Sequence, residues 1–264
     1  MLLTKDDLDK IYYDPLLLVE QVDLSVGSYY TKFCNNNCCI MEILAKKVFD
    51  LVGIMCAEYK YIPEYKCLLS KDLNSNRKMY TPYDFGMMRA NTLEQVMNGL
   101  ERINIEKGYN IDKVRLQFEI LHFIDILFSN IDRHITNFGF YVKGDGSLDL
   151  VVLDNEYFLQ NFKIATRPMA CGDDEIDSDA FIGISKKHEA SCFFENISNE
   201  LSELIPKYME LFSPDRVLIL INSVELESGL TLKYKKTILK DYKRNYKMIN
   251  KLLGLKKDYF LRNK

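Results

Sequence analysis

The segment SNIDRHITN, residues 129–137, places an acid, two basic residues and two amides between two apolar runs, LHFIDILF and FGFYV. A turn alone would need only its Asn and Asp residues. The combination of Asp132, His134 and Asn137 therefore suggests chemistry. A further carboxylate, Asp154, ends the apolar run LDLVVLD, 22 residues after Asp132.

A β-hairpin is predicted to bring these residues together. The turn KGDGS separates the runs FGFYV and LDLVV, and a Gly-Asp-Gly turn between apolar runs is a strong hairpin signal. Because a hairpin returns the end of its second strand to the start of its first, Asn137 and Asp154 are expected to be neighbours. Asp132 should lie just beyond them, in the loop after a helix predicted over 112–128.

Two carboxylates and an amide oxygen around one point suit phosphoryl transfer. One carboxylate orients the acceptor hydroxyl, while an Asn oxygen and a second Asp hold Mg²⁺ against the nucleotide phosphates. The bound metal offsets charge on the moving phosphoryl group. Each residue by itself could instead cap or turn the chain. The pattern as a whole predicts a phosphotransferase that uses ATP and Mg²⁺.

The stretch NIDRHITNFGFYV…LDLVVLDNEYF resembles the catalytic core of HipA-like serine/threonine protein kinases, in a short form. The resemblance implies an α+β, bilobal protein-kinase-like fold with a small α/β N-lobe and a larger, mainly helical C-lobe. It also implies that Asp132 is the catalytic base and that Asn137 and Asp154 bind Mg²⁺. His134 occupies the position two residues after the base, where it would contact either the γ-phosphate or the base.

The segment YYTKF…MEILAKKVFDLVGI looks like the strand lysine and helix glutamate of the same family. The resemblance implies that Lys32 contacts the α- and β-phosphates and that Glu42 positions Lys32 through an ion pair. The alternative is a surface lysine and an exposed helical glutamate, because most charged side chains lie at the surface.

The remaining nucleotide contacts are implied by looser similarities. The segment YKCLLSKDL resembles the strand that leads into the interlobe hinge, which implies that adenine binds near residues 68–71, with Leu69 among its contacts. The segment SVGSYY has one glycine, so it is a weak sign of a phosphate loop. Some family members autophosphorylate a serine in that loop, and Ser25 and Ser28 are the candidates here.

The expected organisation is an N-lobe over residues 1–85, with a hinge at about 68–85, and a helical C-lobe over residues 86–264. In the N-lobe, strands are predicted around Gly27 and on both sides of Pro63, together with a helix over 39–53. The C-lobe should contain the hairpin and helices over residues 92–106, 112–128, 193–211, 213–225 and 232–253.

Composition favours a globular protein with a sizeable core: the chain has 264 residues, of which 47% are hydrophobic and 28% charged. No apolar run reaches the roughly 18 residues of a membrane helix, and the segment MLLTKDDLDK lacks the features of a signal peptide. Seven cysteines at uneven spacing do not indicate a disulfide framework. We therefore expect a cytoplasmic protein, with a secreted effector as the alternative.

The positive charge is concentrated at the C-terminal end of the chain. The net charge is −3, yet residues 233–264 contain 12 Lys/Arg and two Asp/Glu. Such a segment can bind nucleic acid, but Tyr242, Ile249 and Leu253 recur at helical spacing without an aromatic-basic recognition motif. A solvated helix face is the favoured interpretation, and a nucleic-acid partner is not expected.

Three activities are compatible with these residues. The first is a serine/threonine protein kinase, for which the resemblance implies a protein substrate, self-phosphorylation and a candidate antitoxin partner. The second is a lipid kinase, because phosphoinositide kinases have a similar Asp-Arg-His-x-x-Asn loop. Five acids and no base in residues 171–179, CGDDEIDSD, would repel an anionic headgroup, so no membrane partner is expected. The third is a nucleotide-binding pseudokinase, favoured by the single glycine of SVGSYY and opposed by Asp132, Asn137 and Asp154.

Overall fold

The computed structural model describes most of the chain, in the ranges 19–24, 27–32, 35–74, 78–87, 93–130, 132–159 and 193–262. Within these ranges, only the backbone is described for residues 19, 20, 27, 93 and 255–262. Two features singled out from the sequence, Ser25 and the acidic segment 171–179, lie outside the described residues.

The described elements follow one another in the order β1 (Val19–Leu24), β2 (Gly27–Lys32), α1 (Asn36–Leu51), β3 (Met55–Cys56), β4 (Tyr59–Ile62), β5 (Cys67–Lys71), β6 (Met79–Tyr80), α2 (Leu93–Lys107), α3 (Asp112–Phe128), β7 (Phe138–Val142), β8 (Leu148–Val152), α4 (Asn199–Leu211), α5 (Pro214–Ser228) and α6 (Lys235–Arg262). A short 3₁₀ helix, Pro82–Phe85, precedes α2. No described helix combines the length and the apolar character that a membrane span requires.

The strands form two four-stranded sheets. The first has the order β1-β2-β5-β4 and is antiparallel throughout. The second has the order β3-β8-β7-β6, in which β3 is parallel to β8 and the other pairs are antiparallel. Strands β3 and β6 come from residues 1–85 but pair with the hairpin, so strand pairing crosses the expected lobe boundary at residue 85. That boundary stays a prediction.

The predicted hairpin is confirmed by the pairing of β7 with β8. Phe138 lies opposite Val152, and Val142 lies opposite Leu148. Gly146 takes a φ of +79° in the turn, a conformation that glycine adopts without strain. The two strands end beside the segments that carry the predicted site residues.

Most predicted helices are present, with shifted ends. Helix α1 begins before the predicted residue 39, because the Asn35 side chain accepts a hydrogen bond from the Cys38 amide and caps the helix. The single helix predicted over 193–211 is wrong. The chain is helical at 193–196, then extended, and α4 starts anew because the Ser198 hydroxyl caps it by accepting from the Leu201 amide.

Helix α3 passes through the centre of the core and ends at the loop of interest. Phe128, in its last turn, stacks on Phe158 with ring centroids 4.6 Å apart and contacts Phe212 and Tyr242. The amide of Asn245 on α6 donates to two carbonyl groups at the end of α3, those of Ile126 at 2.7 Å and Leu127 at 2.9 Å. Because terminal helix carbonyls lack partners within the helix, α6 fixes the end of α3 from which the next loop starts.

A buried histidine in α3 generates a prediction about acid stability. His122 packs edge-on against Phe193, and burial lowers its pKa from 6.5 to about 3, with the charge of Arg133 acting in the same direction. The unfolded chain therefore takes up a proton near pH 6.5 that the folded protein does not accept. Between pH 7 and pH 5 this difference should lower the free energy of unfolding by about 2 kcal/mol.

Denaturant unfolding of the wild type and of His122→Phe at both pH values measures this effect. The variant should lose about 2 kcal/mol less than the wild type on acidification, whatever its stability at pH 7. His134→Gln, which removes a partly exposed histidine, serves as the control. Equal losses in the wild type and His122→Phe would contradict the prediction.

Candidate active site

A buried arginine joins the segments that carry the predicted site residues. Arg133 is fully buried, and all five of its N–H groups donate hydrogen bonds. Two of these bonds reach the Asp125 carboxylate, at 3.0 and 3.1 Å. The others reach the carbonyl oxygens of Asn137 at 3.0 Å and Leu153 at 2.9 Å, and the side-chain oxygen of Asn155 at 2.6 Å. The guanidinium thus connects α3, the loop before β7 and the segment after β8.

Asn137 lies where the hairpin geometry predicted, beside the segment that carries Asp154. Its carbonyl oxygen accepts from the Leu153 amide at 2.9 Å, and its side-chain amide nitrogen donates to the Asp132 carbonyl oxygen at 2.6 Å. Within the part of the chain that the structure describes, the side-chain oxygen makes a 3.5 Å contact with the Thr136 hydroxyl. Because the nitrogen is bonded to the loop backbone, the side-chain oxygen is the atom that could act as a hard metal ligand.

Asp132 presents a carboxylate that is part-buried, with 37% of its side chain exposed. Burial raises the pKa of Asp132, and the charges of Asp154 and Glu156 act in the same direction, while His134 opposes them. The three acids are therefore close enough to influence one another. A carboxylate with a raised pKa accepts a proton more readily than an ordinary Asp.

His134 lies on the Asp132 side of the site. Its Nε2 atom is 3.9 Å from the nearer Asp132 carboxylate oxygen, which is longer than a hydrogen bond. Its Nδ1 atom lies 2.7 Å from the Thr136 hydroxyl oxygen. The structure places His134 near Asp132, and a contact with the γ-phosphate stays a prediction.

Lys32, at the end of β2, is surrounded by three carboxylates. Its Nζ atom lies 2.7 Å from Asp154, 3.0 Å from Glu42 and 3.0 Å from Glu156. Burial lowers the pKa of Lys32, but the Glu42 and Asp154 carboxylates outweigh burial and raise it far above its usual value. Lys32 is therefore a permanent cation that links residues more than 100 positions apart in the chain.

Glu42 occupies the buried face of α1 and is 1% exposed. One of its oxygens binds Lys32, while the other accepts from the Asn155 backbone amide at 2.7 Å. The Tyr59 hydroxyl is a further hydrogen-bond partner. Burial raises the pKa of Glu42 to about 7, against the lowering effect of Lys32. These partners anchor Glu42 firmly, so it sets the position of Lys32.

The backbone at Asp154 has a left-handed conformation, with φ at +43°. Such a conformation is uncommon for residues other than glycine and is often found at functional sites. It turns the chain so that Asp154 and Glu156 reach Lys32 while Asn155, between them, reaches Arg133. Burial alone would raise the pKa of Asp154, but Lys32 overcomes this effect and holds the pKa below its usual value.

The oxygen atoms present fit a Mg²⁺ ion that also binds a nucleotide. Asp154 offers a carboxylate that is 45% exposed, and Asn137 offers its side-chain oxygen. In the part of the chain that the structure describes, no cluster of three or more His, Cys, Asp or Glu side chains could hold a metal by itself. Mg²⁺ characteristically binds one or two carboxylates and takes its other ligands from phosphate and water, so this sparse set is compatible with it.

Ser28 and Leu69, the other residues predicted to contact the nucleotide, have surroundings that differ from those of Lys32. Ser28 lies on β2, four residues before Lys32, and its hydroxyl donates to the Asp23 carboxylate across the hairpin. Leu69 is paired with Thr31, the neighbour of Lys32, so it faces the opposite side of the sheet. There it is fully buried in a small cluster with Leu24, Tyr29, Ile62 and Cys67. The Leu69 side chain thus lies on the face opposite Lys32, whereas Leu68, which is paired with Lys32, shares the face of Lys32. The contact of Leu69 with adenine stays a prediction.

Sequence reasoning missed several residues of this site, including Asp125, Asn155, Glu156 and Tyr59. A signal was present for Asp125, because an acid within the apolar run LHFIDILF has to find a buried partner. Asn155 and Glu156 directly follow Asp154, but nothing in their local pattern indicates which side of the chain each will face.

The Arg133–Asp125 pair generates a prediction that separates its two roles. Arg133→Met should lower the free energy of unfolding by about 3–5 kcal/mol, because it leaves the Asp125 carboxylate buried without its cation. The double variant Asp125→Leu/Arg133→Met should regain much of that loss, since no unpaired charge remains.

Hydrogen exchange distinguishes stability from local order in these variants. The Leu153 amide, which donates to Asn137, should exchange faster in the double variant than in the wild type, because both segments have lost the bonds from Arg133. Amides in the middle of α3 serve as the internal control. Restored protection at Leu153 in the double variant would show that Arg133 does not organise these segments.

Comparison with known proteins places this geometry in a recognised fold. No family model matches the sequence, and no curated protein matches it. The structure is similar to a solved structure described as the crystal structure of a Helicobacter pylori proinflammatory kinase, CtkA, with a TM-score of 0.61 and 15% sequence identity. The similarity covers 93% of this chain and 97% of that chain. It shows that this protein has the α+β, kinase-like fold that the sequence predicted.

Proposed function

We propose that this protein is a serine/threonine protein kinase of the HipA-like type that uses ATP and Mg²⁺ and phosphorylates itself or another protein. The observation that carries the proposal is the position of Lys32 between Glu42 and Asp154. A lysine held by a helix glutamate, next to a metal-binding aspartate, is the phosphate-binding arrangement of protein kinases. Three separate parts of the sequence must come together to form it.

Each residue has a defined part in the proposed reaction. Lys32 donates to the α- and β-phosphates, and Glu42 holds it in place. The Asp154 carboxylate and the Asn137 side-chain oxygen would hold Mg²⁺, which would offset phosphate charge. Asp132 orients the Ser or Thr hydroxyl and takes its proton as the oxygen bonds to the γ-phosphorus. The bond to the β–γ bridging oxygen breaks in the same step and leaves ADP.

A protein acceptor is favoured over an anionic lipid on electrostatic grounds. Asp132, Asp154 and Glu156 are close enough for their charges to influence one another, and the acidic sequence of residues 171–179 follows them in the chain. An anionic headgroup would be repelled by these charges, whereas a neutral or basic peptide would not. Because the proposed kinase is of the HipA-like type, we also propose an antitoxin protein as its binding partner.

The role of Asp132 is tested by Asp132→Asn. The variant should bind Mg-ATP with nearly unchanged affinity, because the loop backbone keeps its bonds, while phosphotransfer falls by at least about 100-fold through loss of the base. The measurements are binding calorimetry and the transfer of labelled phosphate from ATP to the protein itself or to a basic protein acceptor.

Asp215→Asn, on the exposed first turn of α5, is the matched control and should transfer phosphate like the wild type. A fully active Asp132→Asn variant would show that Asp132 is not the catalytic base. A wild type that binds Mg-ATP but labels neither itself nor any protein acceptor would instead indicate a nucleotide-binding pseudokinase.

The role of Asp154 is tested by Asp154→Ala. Removal of the carboxylate should weaken ATP binding in the presence of Mg²⁺ by at least about tenfold, because the cation loses its only charged protein ligand. Titrations of ATP affinity against Mg²⁺ concentration provide the measurement, with Asp215→Asn again as the control. An unchanged Mg²⁺ dependence would place the metal elsewhere.

A further inference from the structure

Glu156 is an acid in the candidate site that the proposed reaction does not use. It lies two residues after Asp154 and approaches the Lys32 Nζ atom to 3.0 Å. Lys32 has three N–H donors, and three carboxylates, those of Glu42, Asp154 and Glu156, lie within 3.0 Å of it. Each N–H donor of Lys32 therefore has a carboxylate within hydrogen-bonding distance.

A nucleotide phosphate can reach Lys32 only if one of these carboxylates gives way. Glu42 is 1% exposed and is held by the Asn155 amide and the Tyr59 hydroxyl, so it cannot withdraw without leaving those groups unpaired. Asp154 is 45% exposed, but in the proposed reaction it would bind the metal and so would stay in the site when the nucleotide enters. Glu156 lies in a turn and is more exposed than Glu42, at 26%, and unlike Asp154 it has no metal to bind in the proposed reaction.

The net charge around Lys32 also favours the displacement of a carboxylate when a nucleotide binds. Among the described side chains, the carboxylates of Glu42, Asp154 and Glu156 lie within 3.0 Å of Lys32, and Asp132 is close enough to Asp154 and Glu156 to be affected by their charges. The acids around Lys32 therefore outnumber it before any phosphate enters. A nucleotide triphosphate adds several more negative charges. Coulomb repulsion over a few ångströms is strong in a partly buried site, and a divalent cation would offset it.

We infer that Glu156 is a displaceable counter-anion of Lys32, which occupies the position of a nucleotide phosphate and makes nucleotide binding depend on a divalent cation. The inference rests on the proposed function, because it assumes that Lys32 binds nucleotide phosphate. Without metal, Glu156 competes with the nucleotide for Lys32. With Mg²⁺ bound to the nucleotide, the reduced negative charge lets the phosphate replace Glu156 on Lys32.

Glu156→Gln tests this inference through binding alone, without turnover. The substitution keeps the size of the side chain and removes its charge. In EDTA, ATP should bind Glu156→Gln about tenfold more tightly than it binds the wild type, because one repelling carboxylate has been removed. In Mg²⁺ the two affinities should differ less, so the ratio of the dissociation constants without and with metal should fall by several-fold in the variant.

Glu227→Gln is the matched control. Glu227 forms a comparable pair with Lys47, at 2.8 Å, in the exposed contact between α5 and α1. This variant should keep the wild-type affinities in both solutions, which separates a local effect from the loss of one negative charge anywhere on the protein. Thermal unfolding of both variants verifies that they are folded.

The outcomes distinguish this inference from the proposed function. Tighter ATP binding by Glu156→Gln in EDTA supports the inference, because a merely structural role would weaken binding or leave it unchanged. Equal or weaker binding in EDTA, with normal Mg-ATP binding, overturns the inference and leaves the proposed kinase intact. Absence of ATP binding in both proteins, with and without Mg²⁺, overturns the proposed function and this inference together.

Discussion

The buried guanidinium of Arg133 is the interaction on which the site depends. Its five hydrogen bonds reach a helix, a loop and the segment after a strand, and because the guanidinium is fully buried, water could not replace these partners. A planar donor group that is always charged is well suited to this task. Because Asp125 supplies the compensating charge from α3, the position of Asp132 and Asn137 is set by the core itself rather than by a surface loop.

Packing and hydrogen bonds in the core hold two of the segments that Arg133 connects, the end of α3 and the segment after β8. Phe128 stacks on Phe158, so the end of α3 and the segment after Asp154 share one aromatic cluster. Asn245 of α6 holds the last carbonyl groups of α3. Hydrogen bonds from α6 thus hold the start of the loop that contains Asp132. Aromatic packing against Phe128 holds the segment after Asp154.

On the other side of the site, electrostatics rather than packing dominates. Lys32 lies among Glu42, Asp154 and Glu156, and the resulting excess of negative charge is tolerated because Asp154 and Glu156 remain partly exposed to solvent. Only Glu42 is fully buried, and burial raises its pKa to about 7. One side of the site is therefore held by the hydrogen bonds of Arg133. The other side carries charged groups whose net charge changes when a cation or an anion binds.

The sequence by itself determined the local elements and the grouping of Asn137 with Asp154. Helical periodicity predicted α3 at its observed bounds, and the Gly-Asp-Gly turn predicted the hairpin, since both signals depend on residues close together in the chain. The two-residue strands β3 and β6 are too short to leave a pattern, and the Ser198 cap interrupts a helical pattern that periodicity alone extends over residues 193–211.

Only the tertiary structure decided which side chains meet across the site. Leu69 and Leu68 are adjacent in sequence, yet they face opposite sides of the first sheet, because successive strand residues alternate and the register is set by pairing with a distant strand. The left-handed turn at Asp154 likewise directs Glu156 to Lys32 and Asn155 to Arg133. Contacts of this kind depend on the faces that distant segments present to each other, and local sequence patterns do not encode those faces.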